Sequence, residues 1–280
     1  MLTLQPEKMN LKKLFHITNA EQGSTAVQPV LALSVSEKYF GFSISNAQGN
    51  QLSQLAFYSA DEMNPETLAE ILSLHPEASA SFYKVAVCYH YPKHVLVPNQ
   101  FYNHENIGDL WKSVHGATAA KNIISEYAAE WQLHTVYAVP ADVQQFLSRR
   151  YPTAGFKHYS TLALKNLALD GQAGVIKIEV GVDEFELVAV KQNKLLLIER
   201  FEYSTPNDII YQLLKICNEY SLSQYETQLA VSGLVDKDSA LYKEMYSYFI
   251  KIDFNNATWS HADYPPHFFT VLNEITKCAS

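Results

Sequence analysis

The sequence predicts an α/β protein made of one unit used twice, two lobes that each carry a mixed β-sheet in the order β-β-β-α-β. Three observations carry this. Period-two alternation of apolar residues, the mark of a strand with one buried face, runs through three short stretches from Val30 and again through three from Ile176. After each third stretch a proline follows a capping residue, Asn64-Pro65 and Thr205-Pro206, which is how many helices begin. A short unbroken apolar run comes next, Val85-Ala86-Val87-Cys88 and Leu229-Ala230-Val231, the pattern of a strand buried on both faces.

In the first unit the strands are carried by Leu31, Leu33 and Val35, by Phe40, Phe42 and Ile44, and by Leu52, Leu55 and Phe57. Ser36-Glu37-Lys38 makes the first tight connection and Asn46-Ala47-Gln48-Gly49-Asn50 the second, since glycine and asparagine accept the positive backbone angles that turns require. The helix after Pro65 places Leu68, Ile71 and Leu72 on one face. In the second unit the strands are carried by Ile176, Ile178 and Val180, by Phe185, Leu187 and Ala189, and by Leu195, Leu197 and Phe201. The helix after Pro206 carries Ile209, Ile210, Leu213 and Leu214. At an offset of 145, Val35 falls on Val180, Phe40 on Phe185, Leu52 on Leu197, Tyr58 on Tyr203 and Ser59 on Ser204. Pro65 and Pro206 differ by 141, which predicts a loop about four residues longer before the first helix.

Composition narrows the function classes. The 280 residues are 48% hydrophobic and 18% charged, a globular balance that excludes intrinsic disorder, and no apolar run reaches the length of a membrane-spanning helix. With 21 basic and 29 acidic residues the formal charge is −8, so no global basic footprint exists to hold nucleic acid. Met1–Thr18 has no apolar core or cleavage site of a secretory leader, which predicts a cytoplasmic protein. Cys88, Cys217 and Cys278 have no C-x-x-C spacing, so neither a disulfide framework nor a zinc knuckle is expected. His90 and His94 stand four apart, but Pro92 lies between them and breaks the helix that would put both on one face, so no metal site is expected. Walker A, G-x-S-x-G, H-E-x-x-H and G-x-G-x-x-G signatures are missing from the sequence.

Three antiparallel strands, a helix and a strand, occurring twice, resemble the plan of the actin-like ATPase superfamily, a ribonuclease H-like fold shared with sugar kinases and heat-shock 70 chaperones. The likeness is nearer to the FtsA-like and type IV pilus assembly protein M branch, whose A-x-P-x-D-V element is matched by Ala138-Val139-Pro140-Ala141-Asp142-Val143. The predicted helix Tyr159–Leu169 stands where that branch crosses to its second lobe. The chain looks like an uncharacterised Bacteroidota family with an actin-like ATPase fold. The resemblance leaves out residues 1–28, 89–130 and 255–280, and implies an N-terminal extension over 1–27, a first lobe over 28–158 with an insertion at about 89–130, and a second lobe over 159–280.

In that superfamily ATP sits between the lobes, with the first hairpin of each lobe turned toward the phosphates and an aspartate organising Mg²⁺. The resemblance therefore implies a site from Ser34, Ser36, Glu179, Gly181, Asp183, Ser232 and Gly233. The first hairpin should read acidic, apolar, glycine, and reads Ser34-Val35-Ser36. The second keeps Glu179-Val180-Gly181, but continues Val182-Asp183-Glu184 where a further glycine and hydroxyls are expected. At about 4 Å each added like-charge contact with a triphosphate costs roughly 1 kcal/mol in water and about 4 at an effective dielectric of 20. Of the glycine pair at the adenine site, Ser232-Gly233 keeps one. The expectation is a degenerate, non-catalytic cytoplasmic interaction or scaffold module, binding ATP/Mg weakly at most and acting through a protein partner. The alternative is an active Mg-ATP-dependent ATPase or kinase, with Glu179 organising the metal and Asp183 as general base. Aromatics cluster outside the duplicated units, Tyr89, Tyr91, Phe101, Tyr102 and Trp111, and later Trp259, Tyr264, Phe268 and Phe269, and a partner surface is expected in the 89–130 insertion and in the interlobe cleft.

Overall fold

The computed structural model describes residues 10–19, 28–117, 121–167, 172–259, 261 and 263–279. Two compact units are present, Met1–Lys165 with Ile275–Ser280, and Asn166–Glu274.

The first unit runs β1 (Lys12–Thr18), β2 (Pro29–Val35), β3 (Tyr39–Asn46), β4 (Leu52–Ser59), α1 (Pro65–Ser73), β5 (Lys84–Tyr89), β6 (His94–Pro98), α2 (Ile107–His115), β7 (Lys121–Ala128), β8 (Leu133–Pro140), α3 (Ala141–Arg150), β9 (Gly155–His158) and α4 (Tyr159–Lys165). Its main sheet has the order β1-β4-β3-β2-β5-β9, antiparallel from β1 to β2 and parallel from β2 to β9. The second unit runs β10 (Val175–Val180), β11 (Glu184–Lys191), β12 (Lys194–Glu202), α5 (Pro206–Glu219), β13 (Gln228–Gly233), α6 (Ala240–Tyr248) and β14 (Lys251–Phe254), in the order β12-β11-β10-β13-β14. The last helix, α7, is Thr270–Ala279.

Local chemistry explains the elements. Asn64 caps α1 by accepting the Thr67 N–H at 2.9 Å, and Leu68, Ile71 and Leu72 are buried beneath that helix. At α5, Asp208 accepts the Thr205 N–H at 2.8 Å, and Ile209, Ile210 and Leu213 enter the second core. In β2 the alternating set Leu31, Leu33 and Val35 is buried, and so are Val30 and Ala32, because this central strand is covered on both faces.

The duplication is visible in individual hydrogen bonds. Ser36 N–H donates to Tyr39 O at 2.9 Å and Gly181 N–H to Glu184 O at 2.7 Å; His90 N–H donates to Val35 O at 2.8 Å and Leu234 N–H to Val180 O at 2.7 Å. The third strands correct the offset of 145. Phe40 pairs with Tyr58, whereas Phe185 pairs with Phe201, so Tyr58 corresponds to Phe201 and not to Tyr203. The cause lies in the turns. After β3 the chain makes a wide turn in which the Asn46 side chain accepts the Asn50 and Gln51 N–H groups at 3.1 Å, while after β11 it reverses through Gln192 and Asn193, both at positive φ (51° and 60°). The extra residues of the first unit are therefore shared between this turn and the approach to α1.

β1 is a strand where the sequence reading placed only an extension; residues 1–9 and 20–27 of that extension lie outside the described residues. So do Ala168 and Leu169 of the helix predicted over Tyr159–Leu169, which ends as α4 at Lys165. The region around the expected insertion folds into a separate sheet, β6-β8-β7, with Val97, Trp111, Val136 and Ala138 as its core. His94 opens β6, as Pro92 requires. Among the described residues no helix is long and apolar enough to cross a membrane, and no group of three His, Cys, Asp or Glu is placed to hold a metal ion.

Candidate functional site

Residues paired across neighbouring strands point to the same face of a sheet. In the second unit this rule builds a polar row, Ser232 on β13, Glu179 on β10, Glu186 on β11 and Arg200 on β12, each directly opposite the next. The Ser232 hydroxyl donates to Glu179 Oε2. The Arg200 guanidinium reaches Glu186 Oε1 at 3.1 Å and Glu184 Oε1 at 3.3 Å, with its side chain only 9% exposed. Glu179 keeps part of its surface in solvent while protein surrounds its carboxyl. Burial pushes that carboxyl well above the usual range, the Ser232 hydrogen bond works against this, and the charges of Glu274 and Glu186 add to it.

The loop beyond β10 is closed on itself. A Cβ on Gly181 would lie 2.9 Å from Glu184 O, and the Gly181 carbonyl accepts the Tyr203 hydroxyl at 2.8 Å. Asp183 gives its backbone oxygen to the Tyr203 N–H at 2.9 Å. At the end of β13, Gly233 has φ +85°, and a Cβ there would meet Val180 O at 2.1 Å. The chain turns sharply after it, with Val235 N–H donating to Gly233 O at 2.8 Å. His267, 5% exposed and stacked on Phe254 at 3.8 Å between ring centroids, donates from Nε2 to Val235 O at 2.7 Å. Burial holds its imidazole below the usual range, against the opposing Val235 hydrogen bond and Asp236 charge.

Glu179, Gly181, Ser232 and Gly233 are thus gathered at the ends of β10 and β13, with Asp183 in the adjoining turn. Ser34 and Ser36 belong to the first unit, where the matching row reads Cys88, Ser34, Gly41 and Phe57. No ionisable carboxylate or guanidinium remains there. A Cβ on Gly41 would sit 2.5 Å from Phe57 Cδ2, so the ring covers the place held in the second unit by Glu186. Ser36 is buried, and its hydroxyl accepts the Tyr39 N–H at 2.9 Å. The same turn is tied down by Met63 N–H to Glu37 O at 2.8 Å and by Lys121 Nζ at 3.6 Å from the Glu37 carboxylate.

Sequence reasoning missed Glu186, Arg200 and His267. The first two had a signal, alternate polar residues in otherwise apolar strands, but only the register shows that they meet.

The raised Glu179 pKa has a measurable sign. A carboxyl that holds its proton more tightly in the folded state favours folding below its ordinary pKa near 4.5, and that advantage is lost as pH rises through the folded value. Glu179→Gln cannot ionise, so its melting temperature should gain on the parent progressively above pH 4.5. A constant difference from acid to alkaline pH would contradict the burial of this charge.

No curated protein matches the chain. A family model described as "Protein of unknown function (DUF3822)" matches residues 20–252. Among solved structures, a Bacteroides thetaiotaomicron protein with actin-like ATPase fold and unknown function is similar at 19% identity and TM-score 0.72, over 89% of this chain and 96% of that one. A chain of the PilM–PilN type IV pilus biogenesis complex is similar at 10% identity and TM-score 0.56, over 91% and 99%. The ethanolamine utilization protein EutJ from Carboxydothermus hydrogenoformans is similar at 7% identity and TM-score 0.52, over 90% of each. At these identities the likeness is one of fold, and the fold is that of the actin-like ATPases, as the duplicated strand order implied.

Proposed function

The chain belongs to the DUF3822 family, and on that footing we propose that it is a degenerate actin-like ATPase-fold protein, a non-catalytic interaction or scaffold module of the cytoplasm with at most weak nucleotide binding. The observation that carries this is the unequal fate of the two rows. The second unit keeps Ser232, Glu179, Glu186 and Arg200, while the first has Cys88, Ser34, Gly41 and Phe57 at the same positions. A triphosphate needs donors and cations. The guanidinium of the surviving row is already held by two carboxylates, and Glu179 adds a third acidic group beside them. A divalent cation held by Glu179 would have to compete with the Ser232 hydroxyl already hydrogen-bonded to that carboxylate. On this reading Ser34, Ser36, Glu179, Gly181, Asp183, Ser232 and Gly233 are what remains of a nucleotide site, and the duplicated plan serves to present protein surface. The name of the PilM–PilN complex, a pairing of proteins, supports a protein partner for this fold. No disulfide joins Cys88, Cys217 or Cys278, which agrees with a reducing compartment.

A thermal-shift titration with ATP, ADP and a non-hydrolysable analogue, with and without Mg²⁺, tests the proposal. A ligand at 100 times its Kd stabilises by about 2.7 kcal/mol, so even modest affinity would register. We expect no Mg²⁺-dependent rise at millimolar nucleotide and no ATP turnover. Mg²⁺-dependent hydrolysis that Glu179→Gln abolishes would overturn the proposal and establish the kinase or ATPase alternative.

A further inference from the structure

We propose that the first unit holds a binding site for a small organic monoanion with an apolar body, of the medium-chain carboxylate class, in a cavity between α7 and the β5–β9 edge of its sheet. The register makes the cavity. Alternation along β5 puts Lys84, Ala86 and Cys88 on one face, and the parallel pairing with β9 sets Gly155 beside Ala86 and Lys157 beside Cys88 on that face. Ser45 shares the face, since Val30 stands opposite both Ser45 and Lys84. The Ser45 hydroxyl donates to Thr276 Oγ1 at 3.4 Å, so α7 passes over this side of the sheet. Side by side, Ala86 and Gly155 present almost no side chain, and a Cβ added to Gly155 would meet nothing within 4 Å. The space left is about 310 Å³, at the lower end of the roughly 300–1,000 Å³ of small-molecule sites. Leu162 of α4 and Ile275 of α7, both buried, wall it together with Ala279, and all of its lining belongs to the first unit.

The lining selects the ligand. Among the described residues its charged members are Lys84 and Lys157, both half-buried, and no carboxylate lines it, in a chain with 29 acidic residues against 21 basic. Glu126 feels the Lys157 charge, but its carboxyl already accepts the Tyr137 hydroxyl and the His158 N–H and does not line the cavity. Two ammonium groups and no guanidinium suit a single carboxylate better than a polyphosphate, whose usual holders are guanidinium forks and rows of backbone N–H groups. The part of α7 that lines the cavity, Ile275, Cys278 and Ala279, is its C-terminal half, the end of a helix that carries partial negative charge. The anionic head therefore lies at the lysines, and the body against Leu162, Ile275 and Ala279, whose apolar surface leaves water when it enters. Ser34 and Ser36 do not line the cavity, so the inference stands apart from the nucleotide question.

Isothermal titration of the full chain with octanoate tests the proposal, with 1-octanol as the body without the charge and acetate as the charge without the body. We expect one octanoate per chain with a Kd between about 10 μM and 1 mM, the range open to a ligand of about ten heavy atoms. Octanol should bind about tenfold more weakly and acetate not measurably. Lys84→Glu and Lys157→Glu should each weaken octanoate about tenfold and leave octanol unchanged. Gly155→Leu should abolish binding of both, because leucine takes the open space above the strand. Gly155 is not among the glycines at positive φ, so its backbone accepts a side chain. Circular dichroism will show whether each variant is folded, and the lysine variants carry the test should Gly155→Leu not fold. Octanoate that fails to bind at several millimolar overturns the proposal. So does octanol or acetate bound as tightly as octanoate, or octanoate binding that ignores both lysine reversals or a folded Gly155→Leu.

Discussion

Gly233→Ala should lower the unfolding free energy by about 3 kcal/mol or more, read as a fall in the urea midpoint at unchanged slope. Two causes add. The backbone at Gly233 has φ +85°, where a side chain is strained, and the new Cβ would be driven to 2.1 Å from Val180 O and 2.6 Å from Val180 N. These are backbone atoms at the paired ends of β10 and β13, so neither can move aside as a side-chain tip could. The result separates two meanings of this glycine. Resemblance makes it a place where adenine approaches the backbone, and a glycine kept only for that purpose would accept alanine at almost no cost to the free protein. The first unit shows that the fold position does not itself demand glycine. Tyr89 stands there, opposite Val35 as Gly233 stands opposite Val180, and remains in strand conformation. What demands glycine is the sharp turn that the second unit makes next, closed by Val235 N–H on Gly233 O. A neutral Gly233→Ala would mean that the turn relaxes, and would return the glycine to a ligand role.

This case also shows where the sequence is legible and where it is not. The paired hairpins β2–β3 and β10–β11 could be read because alternation and turn residues are local, and because repetition at one offset tests each reading against the other. β1 was hidden because only Ile17 of Lys12–Thr18 is buried, so an edge strand on a neighbour's flank leaves no alternation to find. β9 and β14, four residues each, are too short to show a period. The offset itself misled at Tyr58 and Tyr203, since an identity in sequence outweighed a change in turn type that only φ reveals. At the site, Glu179, Gly181, Ser232 and Gly233 were legible through resemblance to a known fold, which points to positions and not to their state. That Glu179 shares a row with Glu186 and Arg200 follows from register, a property of three strands together. His267 lies more than thirty residues beyond Gly233, and no local pattern ties it to Val235.

Arg200→Met should cost about 3 kcal/mol at neutral pH, the scale of breaking a buried ion pair from one side, and the loss should shrink as pH falls. In the parent protein the guanidinium is 9% exposed and is shared by Glu184 and Glu186, whose side chains are 23% and 11% exposed. Methionine keeps much of the volume, so the change is chiefly one of charge. It leaves Glu186 facing Glu179 across the β10–β11 pair without the Arg200 guanidinium. Two carboxylates in that position hold protons more tightly when folded than when unfolded, so the folded variant binds the excess of protons and its stability falls as pH rises through the carboxylate range. The gap from the parent is therefore widest at neutral pH and narrows toward acid. Adding Glu186→Gln to Arg200→Met should recover most of the loss, a coupling that independent sites would not show. A deficit equal at every pH would mean that Arg200 matters for packing alone. In that event the carboxylates would not be held against each other, and the electrostatic case that this row repels a triphosphate would lose its basis.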